Sequence, residues 1–241
     1  MSAIEVQSLS RNFNGLQAVR ALTLTVEAGE IFGFLGPNGA GKTTTIRMLT
    51  GQLRPSSGWA QVMGCDIVND RPGLKPQIGV VFEVQNLYLR LSAFDNLVFA
   101  AKLYGIRRER VTEVLREVGL LGREKEKISK YSNGMKQRLM IARALLHEPA
   151  VLFMDEPTRG LDPGVARDIR SLIAELAESG MTIFLSTHYM EEADRLCDRV
   201  AIINAGELIC LDTPESLKGR SGLEDPTLEA VFLQKTGREL Y

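Results

Sequence analysis

Ile31-Phe32-Gly33-Phe34-Leu35 is an unbroken apolar run that stops on Gly36-Pro37-Asn38-Gly39-Ala40-Gly41-Lys42-Thr43. The run reads as a buried strand, and the residues from Lys42 to Leu49 read as a helix. A strand passing through glycines into a helix start is the setting that gives the pattern G-x-x-x-x-G-K-[ST] its meaning. The glycines let backbone N–H groups turn inward around phosphate oxygens. The helix N-terminus adds partial positive charge. In that setting Lys42 reaches the β- and γ-phosphates of a nucleotide, and the Thr43 hydroxyl faces a Mg²⁺ ion. Thr44 continues the same turn.

The rest of the pattern extends this unit. Leu22, Leu24 and Val26 alternate with polar residues, as in a half-buried strand. Ile78 to Phe82, Val151 to Met154 and Thr182 to Ser186 read as further strands. Val200–Ile203 and Glu207–Leu211 form a hairpin around Asn204-Ala205-Gly206. Between them lie helical stretches. One is capped by Ser92 and ends at Gly105. Another starts at Asp162-Pro163 and carries the stripe Val165, Ile169, Leu172, Ile173 and Leu176. Two short ones are Met190–Cys197 and the stretch opened by Thr213-Pro214. Strands separated by helices mean an α/β core with parallel pairs. The mostly helical segment from Ser92 to Glu148 interrupts that core. A polar linker from Gly219 to Pro226 leads to a short amphipathic tail, Leu228 to Gly237.

Val151-Leu152-Phe153-Met154-Asp155-Glu156 ends in two adjacent acids, which are costly to bury without partners. At a strand end beside a nucleotide, Asp155 can hold the metal through water and Glu156 can orient an attacking water. Ser132-Asn133-Gly134 runs directly into another helix-forming stretch, and an exposed helix start is an anion site. Of the other singled-out residues, His147 reads as a helix-end cation. Arg107, Arg108 and Arg110 read as a solvated helix face or as a contact with a membrane partner. Leu97, Val98, Ala101 and Leu103 read as core of the helical segment.

Composition excludes several classes. The formal net charge is −1, with 29 Lys and Arg against 30 Asp and Glu, so no basic surface announces nucleic acid. No apolar run reaches the roughly 18 residues of a membrane span, and the N-terminal stretch does not read as a secretory signal. Cys65, Cys197 and Cys210 are scattered and odd in number, which suits a reducing compartment and no metal framework.

Together these motifs resemble the ATP-binding subunit of ABC transporters, over nearly the whole chain. Gly36 to Thr43 match the Walker A loop, and Met154-Asp155-Glu156-Pro157-Thr158 match Walker B with its catalytic glutamate. Gly160-Leu161-Asp162 match the D-loop, and His188 matches the switch histidine. Ser132-Asn133-Gly134-Met135-Lys136-Gln137 match the signature sequence, and Phe13 stands where the family has an aromatic that stacks on adenine. Two positions depart from the pattern: Asn133 replaces the usual glycine, and Glu83 stands where a glutamine usually lies. Gln85 could take the latter role if the loop were shifted.

The resemblance implies an α/β fold, a P-loop NTPase core with a mixed sheet, an N-terminal antiparallel β subdomain and an inserted helical lobe. The expected ATPase domain spans residues 1–220, with core 1–84 and 149–220, lobe 85–148, and a tail over 221–241. It implies an ATPase with ATP and Mg²⁺ as cofactors. Glu156, His188 and Lys42 would be catalytic, and Thr43, Glu83 and Asp155 would face the metal. Phe13, the loop from Gly36 to Thr44, and Ser132, Asn133, Gly134 and Asp162 would bind nucleotide. The last four belong to a composite site in which two subunits face each other head to tail around two ATP molecules. A separate membrane-spanning permease, a second copy as partner, and a place on the cytoplasmic face of the membrane follow. Gly29 to Gly36, Tyr131 to Arg138 and Leu228 to Leu233 look like subunits of exporters for drugs, polysaccharides or sodium. An importer subunit, and a soluble ATPase of repair or translation, are the rival readings.

Overall fold

The computed structural model describes residues 1–224 and 226–237. In chain order its strands and helices are β1 (Ser2–Phe13), β2 (Leu16–Glu27), β3 (Ile31–Leu35), α1 (Lys42–Leu49), β4 (Ser57–Val62), β5 (Cys65–Asp66), α2 (Arg71–Gln77), β6 (Ile78–Val81), α3 (Ala93–Tyr104), α4 (Arg108–Glu117), α5 (Asn133–Leu145), β7 (Val151–Asp155), α6 (Pro163–Glu178), β8 (Thr182–Thr187), α7 (Met190–Leu196), β9 (Arg199–Asn204), β10 (Glu207–Asp212), α8 (Pro214–Gly219) and α9 (Leu228–Thr236). Among the described residues the strands form two sheets, one ordered β2-β1-β4-β5 and the other β10-β9-β3-β8-β7-β6. The first is antiparallel. In the second, β9, β3, β8, β7 and β6 run parallel and β10 pairs antiparallel with β9.

The parallel strands are apolar throughout because both of their faces are covered. Phe32, Phe34, Phe153 and Phe184 point to one side, where α1 and the antiparallel sheet pack. Phe184 lies 5.4 to 5.5 Å, centroid to centroid, from the other three rings. Burying each such ring contributes about 1.5–3 kcal/mol. Ile31, Leu35, Leu152, Met154, Ile183 and Leu185 point to the opposite side, into one cluster with Leu97, Leu139, Ile169 and Phe232. The helical segment, α6 and α9 therefore share a single apolar core with the sheet. Asp225 and residues 238–241 of the expected tail lie outside the described residues.

The α/β fold, mixed sheet, antiparallel subdomain and helical insertion are as expected. The residue pattern did not reveal β1, and the reason is local. Ile4 and Val6 face the core, then the register against β2 shifts between Val6 and Leu9. Ser8 takes a positive φ of 48°, and Leu9 is buried again. A bulge of this kind breaks the period of two.

Three side-chain readings need correction. Leu103 is 73% exposed, because at 100° per residue it lies on the face of α3 away from Leu97 and Ala101. Arg110 does not solvate a helix face: its guanidinium pairs with Glu117 at 2.6 Å and donates to the Leu145 carbonyl at 3.3 Å. His147 is not a helix-end cation. Its Nε2–H donates to the Ile78 carbonyl at 2.9 Å, its ring stacks on Tyr104 at 4.6 Å, and burial lowers its pKa.

Candidate nucleotide site

Three strand ends supply the site, as expected for ligands at the carboxyl ends of parallel strands. β3 leads into the phosphate loop, β7 into Glu156, and β8 into His188. Two glycines of the loop are dictated by space. A Cβ on Gly36 would meet the Ile203 carbonyl oxygen at 2.4 Å, and one on Gly41, at φ 106°, would meet the Ala18 carbonyl oxygen at 2.4 Å. The turn therefore lies pressed against β2 and β9.

Lys42 folds back over this turn. Its Nζ donates to the carbonyl of Gly36 at 2.7 Å and to that of Pro37 at 3.2 Å, and lies 3.0 Å from Glu156 Oε1. The other carboxylate oxygen of Glu156 accepts from His188 Nδ1 at 2.7 Å. Glu156 holds a positive φ of 53°, a strained setting for a non-glycine residue. Its amide is fixed by the carbonyl and hydroxyl of Ser186 at 3.0 and 3.2 Å. Thr43 Oγ1 donates to Asp155 Oδ2 at 2.7 Å, and Ser186 Oγ donates to Asp155 Oδ1 at 2.5 Å. The buried acid pair expected to need partners thus has a lysine, a histidine and two hydroxyls.

A cleft of about 290 Å³ opens over these groups, lined by Phe13, Pro37, Asn38, Gly39, Gly41, Lys42, Thr43, Thr44, Glu83 and Glu156. An adjoining cleft carries Asp155 together with Phe13, Thr43 and Glu83. Gln85 lines neither, while Glu83 lines both. The Phe13 ring is half exposed, and the Arg11 guanidinium lies 4.5 Å from its centroid. Ala40 is buried beneath the loop. Its amide donates to the Pro37 carbonyl at 3.2 Å.

Ser132, Asn133, Gly134 and Asp162 line neither cleft. Ser132 caps α5 by accepting from the Met135 amide at 3.2 Å, and both Ser132 and Asn133 face solvent. Gly134 is buried against the start of α6, where a Cβ would lie 2.3 Å from Val165 Cγ1. Asp162 stands at the N-cap of α6 without a side-chain cap bond.

Sequence reasoning missed the supporting residues. Ser186 was read only as strand, and its bond to Asp155 depends on β7 and β8 being neighbours. Glu192 is buried beside Thr187: its Oε2 accepts from Thr187 Oγ1 at 2.9 Å. Burial raises its pKa, while bonds from Thr158 and Thr187 lower it. Arg159, on the rim of the cleft, left a visible signal in a charge three residues after Glu156.

A glycine turn around a lysine, with an acid pair two strands away, defines a P-loop nucleoside triphosphatase. The particular family follows from the helical insertion and from comparison: the chain belongs to the ABC transporter family, whose model matches residues 19–159. It is 41% identical over 223 residues to the linearmycin resistance ATP-binding protein LnrL of Bacillus subtilis, covering 91% of this chain and 72% of that protein. It is 46% identical over 201 residues to a fluoroquinolones export ATP-binding protein of Mycobacterium tuberculosis, covering 83% and 67%. A solved structure of an ATP-binding subunit of an ABC transporter superposes with TM-score 0.86 at 31% identity, covering 97% of this chain and 99% of that one. The chain is thus an ABC transporter ATP-binding subunit, an ATPase of a family whose members work with a membrane permease. Among the described residues no helix is long and apolar enough to cross a membrane.

Proposed function

We propose that this ATPase binds MgATP in the cleft over Lys42 and powers drug export by closing two copies head to tail on the cytoplasmic face of a permease. The observation that carries the catalytic part is the placement of Glu156, with one oxygen on Lys42 and the other on His188. A carboxylate held there stands beside the lysine that takes the γ-phosphate, where it can orient a water for in-line attack. Lys42 stabilises charge on the transferred phosphoryl group, His188 holds Glu156 and senses the phosphate, and Phe13 offers a ring face to adenine.

Thr43 Oγ1 and Asp155 Oδ2, already 2.7 Å apart, are hard oxygen donors on one side of the cleft, with Glu83 near them. That donor set fits Mg²⁺, which keeps most of its waters and takes one or two protein oxygens. When bound, the ion neutralises charge on the phosphates.

Dimer closure is supported by Ser132 and Asn133. They form an exposed start to a 13-residue helix, outside the chain's own nucleotide cleft. A γ-phosphate held by a second copy is the anion that fits there. ATP then binds the closed pair better than the open one, and only such a difference in affinity can drive closure. Export is favoured over import by relatives named for linearmycin resistance and fluoroquinolones export. The test is Glu156→Gln. ATP still binds, turnover falls roughly 10²- to 10⁴-fold as for loss of a general base, and ATP traps a dimer on size-exclusion chromatography. Unchanged turnover removes Glu156 from the catalytic role.

A further inference from the structure

Glu83 and Arg159 come from neighbouring strand ends of the parallel sheet, β6 and β7. Arg159 Nη1 donates to Glu83 Oε1 at 2.5 Å, and both line the cleft over Lys42. The turn that carries Arg159 is tied to the catalytic strand end, since the Arg159 amide donates to the Glu156 carbonyl at 3.2 Å. The cleft and its neighbour hold the carboxylates of Glu83, Asp155 and Glu156. Lys42 already faces Glu156, and Asp155 is satisfied by Thr43 and Ser186. Among the described residues Arg159 is the cation paired with Glu83, while Arg47 lines the adjoining cleft. Each side chain is 41% exposed, so the pair contributes little to folding. Its effect is on what enters the cleft: a triphosphate brings several negative charges, and an uncompensated carboxylate a few ångströms away repels it.

We propose that Arg159 is a positioning residue for Glu83. It holds that carboxylate at the rim of the cleft over Lys42 and cancels its charge, so that a glutamate in this loop does not weaken nucleotide binding. The proposal rests on reading the cleft as the MgATP site.

The test uses the full chain with Arg159→Ala, Glu83→Gln and the double variant. Each is titrated with a fluorescent ATP analogue, first in EDTA and then in Mg²⁺, at low and high salt. Melting temperature serves as the structural control. In EDTA at low salt, R159A binds roughly five- to tenfold more weakly than wild type, and the loss shrinks at high salt. The double variant binds within about twofold of E83Q, because no carboxylate remains to be compensated. In Mg²⁺, R159A recovers most of that loss, because the divalent cation is attracted to the freed Glu83 carboxylate and takes over its compensation. The melting temperature of R159A stays at the wild-type value. The proposal is overturned if R159A binds as wild type does. It is also overturned if R159A costs as much in the E83Q background as alone, since Arg159 would then touch the nucleotide itself. A wild-type chain that binds no analogue overturns the nucleotide reading of the cleft and this proposal with it, a result distinct from additive losses.

Discussion

Gly134→Ala tests how tightly the start of α5 is set against the start of α6. The added Cβ would stand 2.3 Å from Val165 Cγ1, whereas carbon atoms settle at about 3.5–4.0 Å. More than about 1 Å must therefore be found. Overpacking of this kind costs about 1–3 kcal/mol. Replacing glycine by alanine inside a helix returns about 1 kcal/mol. The net loss is about 1 kcal/mol, which lowers the melting temperature by about 2–4 °C in a chain of this size. Turnover falls further than stability does, because the shift displaces Ser132 and Asn133, the residues proposed to meet the second copy's nucleotide. Val165→Ala removes the obstructing methyl. In a double-mutant cycle read by thermal unfolding, the two substitutions show a favourable coupling of about 1–3 kcal/mol. If G134A costs the same with and without V165A, the contact does not set the spacing of the two helix starts, and the reasoning fails.

Ser132→Arg places a long cation on the exposed helix start, so nucleotide binding to a single chain survives while ATP-dependent pairing disappears. Light scattering in the presence of ATP checks this, and a persistent dimer refutes the composite site. For His147, burial lowers the folded pKa below its ordinary value of 6.5, so its neutral ring contributes stability above that pH, and the contribution is lost as pH falls through the depressed value. The difference in melting temperature between wild type and His147→Gln therefore narrows from pH 7 downward. A difference constant with pH would show that the buried ring does not titrate with folding.

The phosphate loop was legible because its chemistry is contiguous: one strand, one turn and one helix carry it, and glycine is required where the Ile203 and Ala18 carbonyls crowd Gly36 and Gly41. The acidic strand end was legible for the same reason. What stayed hidden depends on neighbours distant in sequence. Ser186 meets Asp155 only because β8 lies beside β7, and His147 finds its acceptor on β6, 69 positions away. Arg110 looks like surface charge until Glu117 and the Leu145 carbonyl are brought to it. β1 was lost to a register shift, which no period of two can follow. The helix start at Ser132 was legible as a helix start; it is capped and lies outside the clefts of the same chain.

Lys42 and Thr43 are each engaged by an acid at the end of β7, Glu156 and Asp155 respectively. On the proposed reading, loading the site would therefore be an exchange, in which phosphate oxygens would take the place of Glu156 at Lys42, and Thr43 and Asp155 would turn their oxygens to the metal. Charged and polar groups change partners without passing through a desolvated, partnerless state. The same substitution runs backward when products depart, so a turnover cycle can discharge ADP without stranding a buried lysine.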